Sequence, residues 1–350
     1  MAKYIGYVGT YTKGGSEGIY SFELDTEKKA LSEPKLAAKL GNPTYVTPNK
    51  NNTILYSIEK ADSQGGVAAY QINKNSGELT FLNHQLIDGP SPCHVSVDDQ
   101  NQFVLTANYH SGKVHAFPVQ EDGSLQSPAS EVAHTGKGPH ERQEKPHTHY
   151  AGFTPEHNYV VAVDLGTDKL YTYKLKDGVL AESGSHSFAP GTGPRHIAFH
   201  PKEKYAYVMT ELSNEVIALE YNPTAGEFRE IQVVSAIPDD FTDNNSQGSA
   251  IHVTQDGRFV YVANRGHDSI AVFEVNQYSG ELAFIERVST EGNWPRDFVL
   301  DPTEGFLVAS NEETGNLVLF ERDKETGRLT LLPSTVSVPY PVCVKFLHQV

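Results

Sequence analysis

Seven times along this chain, a short apolar run closes on a small or polar residue, and a second such run and a turn follow. The strand-ending position falls at Thr10, Glu59, Asn108, Asp164, Thr210, Asn264 and Asn311, with gaps of 49, 49, 56, 46, 54 and 47 residues. The turn position falls at Leu31, Leu79, Leu125, Leu180, Phe228, Leu282 and Leu329 and keeps the same beat independently. Two registers sharing one period of roughly 50 residues mark a radial or stacked array of supersecondary units.

Within residues 146–193 the pattern predicts strands over 148–153, 159–164, 169–174 and 179–187. Thr154-Pro155-Glu156-His157 and Lys176-Asp177-Gly178 supply the turns that punctuate an antiparallel sheet. The apolar runs last about five residues, too short for typical helices. Four antiparallel strands per unit, seven units in all, predict an all-β, seven-bladed β-propeller. Pro341-Val342-Cys343-Val344-Lys345-Phe346-Leu347 reads as a first strand with no continuation, and Tyr4-Ile5-Gly6-Tyr7-Val8 as a second strand lacking its first. One blade is therefore expected from both chain ends, 341–350 with 1–42, closing a single domain over 1–350 and leaving only protected edges.

Composition narrows the partners. A net charge of −16 argues against a nucleic-acid surface. No stretch is long and apolar enough for a membrane span, and the first six residues lack the apolar core of a signal peptide, so a cytoplasmic protein is expected. Two cysteines, Cys93 and Cys343, are too few for a disulfide framework and read as thiols in a reducing compartment. Oligomeric state is left open by the sequence.

The blade positions that break the apolar rule carry the functional signal. Fifteen residues before the strand-end register, at the start of each first strand, stand Thr44, Cys93, His149, Arg195, Ser249, Arg296 and, in the split blade, Val342. One residue after the register stand Tyr11, Lys60, Tyr109, Leu165, Glu211, Arg265 and Glu312. The first strand of a propeller blade lines the channel and pairs antiparallel with the second, so both columns are expected at one channel mouth. His149, Arg195, Glu211 and Arg265, on three consecutive blades, would gather there. Against this, seven strand ends cannot pack tightly, and Arg195 with Glu211 could be a salt bridge that ties one blade. His147-x-His149 has the spacing of a strand-borne metal pair but no evident third ligand, so no metal is expected. His84 and His157 read as surface or turn residues. Segment 131–145, with His134 and His140, reads as a mobile loop, and the connectors 133–145 and 235–247 account for the two longest gaps. Nucleophile-elbow, phosphate-loop and dinucleotide signatures are absent.

The run Gly193-Pro194-Arg195-His196-Ile197-Ala198-Phe199-His200-Pro201, then Tyr205-Ala206-Tyr207-Val208 and Glu211-Leu212, resembles the signature of the seven-bladed propeller lactonases. That family includes bacterial sugar-lactone hydrolases and fungal carboxy-muconate lactonizing enzymes. Ala250-Ile251-His252-Val253-Thr254-Gln255-Asp256-Gly257-Arg258, with Tyr261 and Arg265, is similar to the next blade of the family, and the likeness spans essentially the whole chain. The resemblance implies a site of His149, Arg195, Glu211 and Arg265, the set already marked by the columns.

What the resemblance implies is a hydrolase acting on a small anionic lactone, first of all 6-phospho-D-glucono-1,5-lactone of the pentose phosphate pathway, without metal or organic cofactor. Water attack on a lactone carbonyl needs a base and a group to hold the developing oxyanion. Glu211 and His149 are the candidate bases. Glu211 is preferred narrowly because neighbouring arginines keep a carboxylate ionised, although they also weaken its basicity. Arg195 and Arg265 are the expected binders of phosphate or oxyanion. Two further functions stay open: a lactone-forming cyclase acting on a carboxylated muconate, and a non-catalytic interaction platform, which fold alone permits.

Overall fold

The computed structural model describes residues 3–243 and 245–348, so Met1, Ala2, Asn244, Gln349 and Val350 lie outside it. The described strands form seven antiparallel sheets, the blades of the expected all-β propeller. The only helical element among the described residues is a single 3-10 turn, Glu141–Gln143.

The sheet read first from sequence consists of Thr148–Phe153, Val160–Asp164, Lys169–Lys176 and Val179–Ser187, paired in that order. Its second strand starts one residue later than expected. The Tyr159 amide donates to the Thr154 hydroxyl at 3.2 Å, so it closes the turn instead of entering the ladder.

The described residues of Met1–Val104, Phe117–Ser127 and Thr290–Val350 form one compact unit, and those of Leu105–Ala116 and Pro128–Ser289 a second. The first unit contains the blade made from both chain ends. Pro341–Phe346 pairs antiparallel with Lys3–Thr10, placing Val344 opposite Val8 and Phe346 opposite Gly6. Val8, Phe22, Val344 and Phe346 share one buried cluster, and the rings of Phe22 and Phe346 meet edge to face at 5.4 Å. Gly6 is required there, since a Cβ would stand 2.4 Å from the Phe22 ring. Asp297 Oδ2 accepts both the Val344 amide and Lys345 Nζ at 3.0 Å, fixing the last strand by a charged pair. The outer edge departs from the four-strand plan. Ala30–Leu31 and Lys35–Lys39 both pair with Gly18–Asp25, and Pro34, which has no N–H to donate, lies in the break between them. Burial pushes the Cys343 thiol well up, so it stays neutral, and among the described residues neither cysteine is in a disulfide.

The second unit contains the sheets Thr148–Phe153 to Val179–Ser187, Pro194–Phe199 to Glu227–Ser235, and Gln247–Val253 to Leu282–Ser289. Their alternating apolar residues pack face to face. Tyr207, Met209, Val216, Val260, Val262 and Phe273 form one such layer, and the Tyr207 hydroxyl meets its need for a partner by donating to Gly280 O at 3.0 Å.

Four of the first strands share a local irregularity. Their pairing with the second strand slips between Thr148 and Tyr150, between Pro194 and His196, between Gly248 and Ile251, and between Pro295 and Asp297. A β-bulge of this kind leaves its extra residue out of the ladder and re-aims its side chain. The residues inside these bulges are His149, Arg195, Ser249 with Ala250, and Arg296, the polar column of the repeat.

Candidate active site

Three strand ends of the second unit bring the expected residues together. Arg195 leaves the bulge in Pro194–Phe199, Glu211 follows Tyr205–Thr210, and Arg265 ends Phe259–Arg265. Glu211 is fixed by its own backbone, whose N–H donates to Gly193 O at 2.7 Å. Arg195 Nε donates to Glu211 Oε2 at 3.0 Å, and Arg265 Nη2 lies 2.8 Å from the same oxygen. Each arginine is also tied to backbone: Arg195 Nη1 donates to Ser249 O at 2.6 Å and Arg265 Nη2 to Gly248 O at 2.7 Å. Glu211, Arg195 and Arg265 are only 2%, 3% and 3% exposed.

A third guanidinium completes the cluster. Arg142 Nη2 donates to Glu211 Oε1 and, at 3.3 Å, to the Tyr109 hydroxyl. Burial alone would raise the Glu211 pKa. The guanidinium groups of Arg265 and Arg195, with His149 and Arg142 adding to them, outweigh that cost and hold the carboxyl well below the usual carboxylate range. Burial keeps the Tyr109 phenol up and therefore neutral, against the opposing pull of Arg142. Three guanidiniums against one carboxylate leave a net positive cluster in a chain whose overall charge is −16.

His149 is buried beside this cluster. Its ring lies 5.1 Å from that of His196 and 5.8 Å, edge to face, from that of Tyr109. The structure thus brings all four residues singled out from sequence to one place.

Arg142 and Tyr109 were missed as a pair. Tyr109 stood in the strand-end column without a charge to single it out, and Arg142 stands outside the repeat, in segment 131–145. That segment, expected from its polarity to be a mobile loop, is anchored at two points where polar side chains turn inward, His134 and Gln143, while most of its other polar side chains are exposed. His134 is buried, with Nδ1 2.6 Å from Asp164 Oδ2 and Nε2 2.8 Å from the Tyr173 hydroxyl. Gln143 is fully buried and donates to Leu165 O and Asp168 Oδ1, both at 2.8 Å. His140 and Gln143 cap the 3-10 turn reciprocally. The connector runs so close over Gly166 that a Cβ there would meet Lys145 O at 1.9 Å.

His147 does not form a metal pair with His149. Its Nδ1 lies 2.8 Å from Tyr109 O and its Nε2 3.0 Å from Glu144 Oε2, which secures the end of the connector. No group of three or more His, Cys, Asp or Glu among the described residues is placed to hold a metal. Of the second long connector, 235–247, Asn244 lies outside the described residues, and Ser246 is tied to Asn214 by bonds of 2.9 and 3.1 Å. In the first unit the same two register positions hold another pair, Arg296 Nη1 and Glu312 Oε2, at 3.0 Å.

Comparison with known proteins gives this geometry a context. Residues 5–346 match the family described as lactonase, 7-bladed β-propeller. The chain is 96% identical to the 6-phosphogluconolactonase of Bacillus subtilis strain 168 over 350 residues, the full length of both. A protein of Lactobacillus plantarum of known structure is 40% identical, with a TM-score of 0.95 over 99% of this chain and 100% of its own. The periplasmic gluconolactonase of Pseudomonas aeruginosa is 30% identical, with a TM-score of 0.92 over 99% of each chain. No helix of the described residues is long and apolar enough to cross a membrane.

Proposed function

The chain belongs to the lactonase family of seven-bladed β-propellers, and from that premise we propose that it hydrolyses 6-phospho-D-glucono-1,5-lactone to 6-phosphogluconate in the cytoplasm. The observation that carries the substrate assignment is the net positive cluster, in which three guanidiniums surround a single buried carboxylate. Such a cluster suits a phosphorylated sugar lactone and the oxyanion formed when water adds to its carbonyl.

His149 is the general base in this reading. Glu211, held well below the usual carboxylate range and engaged through both oxygens, is a weak proton acceptor. Its charge instead keeps Arg195 and Arg265 in place and stabilises a protonated imidazole at His149. Water attacks the lactone carbonyl carbon as His149 takes its proton, and the carbonyl electrons move to oxygen beside the guanidinium groups. When the oxyanion collapses, the bond from that carbon to the ring oxygen breaks. The imidazolium returns the proton to the departing ring oxygen, giving the open-chain acid and a free hydroxyl. The balance needs only water and lactone.

Lactone hydrolysis measured above the spontaneous rate, with phosphorylated and unphosphorylated gluconolactone in parallel, tests the assignment. Acceleration of the phosphorylated substrate is expected. A rate no faster than the spontaneous one for both would overturn it.

A further inference from the structure

We infer that Arg142 is the phosphate-recognising residue, and that it leaves Glu211 Oε1 for the substrate's phosphate when the lactone enters. This rests on the phosphorylated-lactone function proposed above. The three arginines of the cluster are not equivalent. The side chains of Arg195 and Arg265 are each 4% exposed and bonded to both Glu211 and a backbone carbonyl. Pulling either away would strand a buried carbonyl and unbalance a buried carboxylate, so neither is free to follow a ligand.

Arg142 differs on each count. Its side chain is 33% exposed, and Nη2 makes both of its bonds. Nε and Nη1 make no hydrogen bond among the described residues, leaving much of the guanidinium fork available. Its backbone is nevertheless fixed: the Arg142 amide donates to His140 Nδ1 at 3.1 Å, and the next residue, Gln143, is fully buried and bonded on both sides. Recognition therefore requires only side-chain rotation from a fixed base. A phosphate dianion offers more charge and more acceptor oxygens than one carboxylate oxygen, and the planar fork matches it in two places. Glu211 would keep Arg195 and Arg265 after Arg142 turns away, so its charge is not stranded.

The test compares the full-length chain with R142Q and R142K on 6-phosphogluconolactone and glucono-1,5-lactone, with thermal melting of each variant. Losing a charge-assisted contact to phosphate should lower kcat/KM for the phosphorylated lactone roughly 10- to 100-fold, mainly through KM. The loss on the unphosphorylated lactone should be at least about tenfold smaller. R142K should recover part of the discrimination, and inorganic phosphate should inhibit the native chain more strongly than R142Q. Equal losses on both lactones would show that Arg142 acts through Glu211 and overturn the inference, as would a native chain that does not distinguish the two lactones. A native chain that accelerates neither refutes the proposed function itself. One that prefers the phosphorylated lactone, with R142Q preferring it equally, refutes only the role of Arg142.

Discussion

Arg142 and Glu211 meet across 69 residues of chain, with Nη2 of the first donating to Oε1 of the second. No step of the blade repeat relates them. Glu211 follows from the period, whereas Arg142 sits in the insertion that lengthens it. The bond closes the third side of a carboxylate already flanked by Arg195 and Arg265, and it makes the charge balance of the cluster depend on a connector.

Glu211→Gln keeps the shape of the side chain but leaves two buried guanidiniums without their counter-charge. Breaking a buried pair in this way costs about 3–5 kcal/mol, so a clear fall in denaturation midpoint is expected at neutral pH. The pH dependence has a definite sign. A carboxyl whose folded pKa is depressed contributes stability that is full above its unfolded value of about 4.3 and is lost as pH falls through the lower folded value. The gap between native and E211Q stability should hold from neutral pH down to about pH 5 and narrow only in stronger acid. A gap already closed at pH 6 would contradict the ionised assignment.

Arg195→Lys retains charge but cannot span both Glu211 Oε2 and Ser249 O, the two acceptors that Nε and Nη1 reach now. One buried acceptor is left wanting, at a cost of about 1–3 kcal/mol. Turnover should fall together with the melting temperature, because the arginine both holds Glu211 and shapes the pocket field. Full turnover in a destabilised R195K protein would reduce Arg195 to a strut.

His149→Asn removes the imidazole at similar size. Loss of a general base lowers kcat/KM by roughly 100- to 10,000-fold and erases the acidic limb of its pH profile. The profile is the deciding measurement, since a misfolded site would lower the rate without removing the limb. Retention of that limb in H149N would move the base elsewhere.

Deleting 341–350 removes the strand paired with Lys3–Thr10 and uncovers Val8 and Phe22. An exposed edge and an opened core should cause aggregation or loss of a cooperative melt. Melting indistinguishable from that of the intact chain would show that the end-to-end pairing contributes nothing.

The sequence by itself determined the blades, because a half-buried strand must alternate and a turn must interrupt it, and both demands repeat visibly seven times. It also located His149, Arg195, Glu211 and Arg265, since polar residues at strand ends stand out against an apolar period. Only the tertiary structure supplied the reason for that column, the β-bulge, which has no residue signature of its own at His149 or Arg195. It alone divided labour among the arginines, through which carbonyls and carboxylate oxygens each guanidinium reaches. It also located the two anchors of segment 131–145. Polarity in a sequence does not say whether a side chain faces water or a buried partner; His134 found its partners on two strands, and Gln143 in the turn that joins them. Arg142 was hidden for the same reason: its neighbours in space lie outside any window in which a sequence pattern could place them.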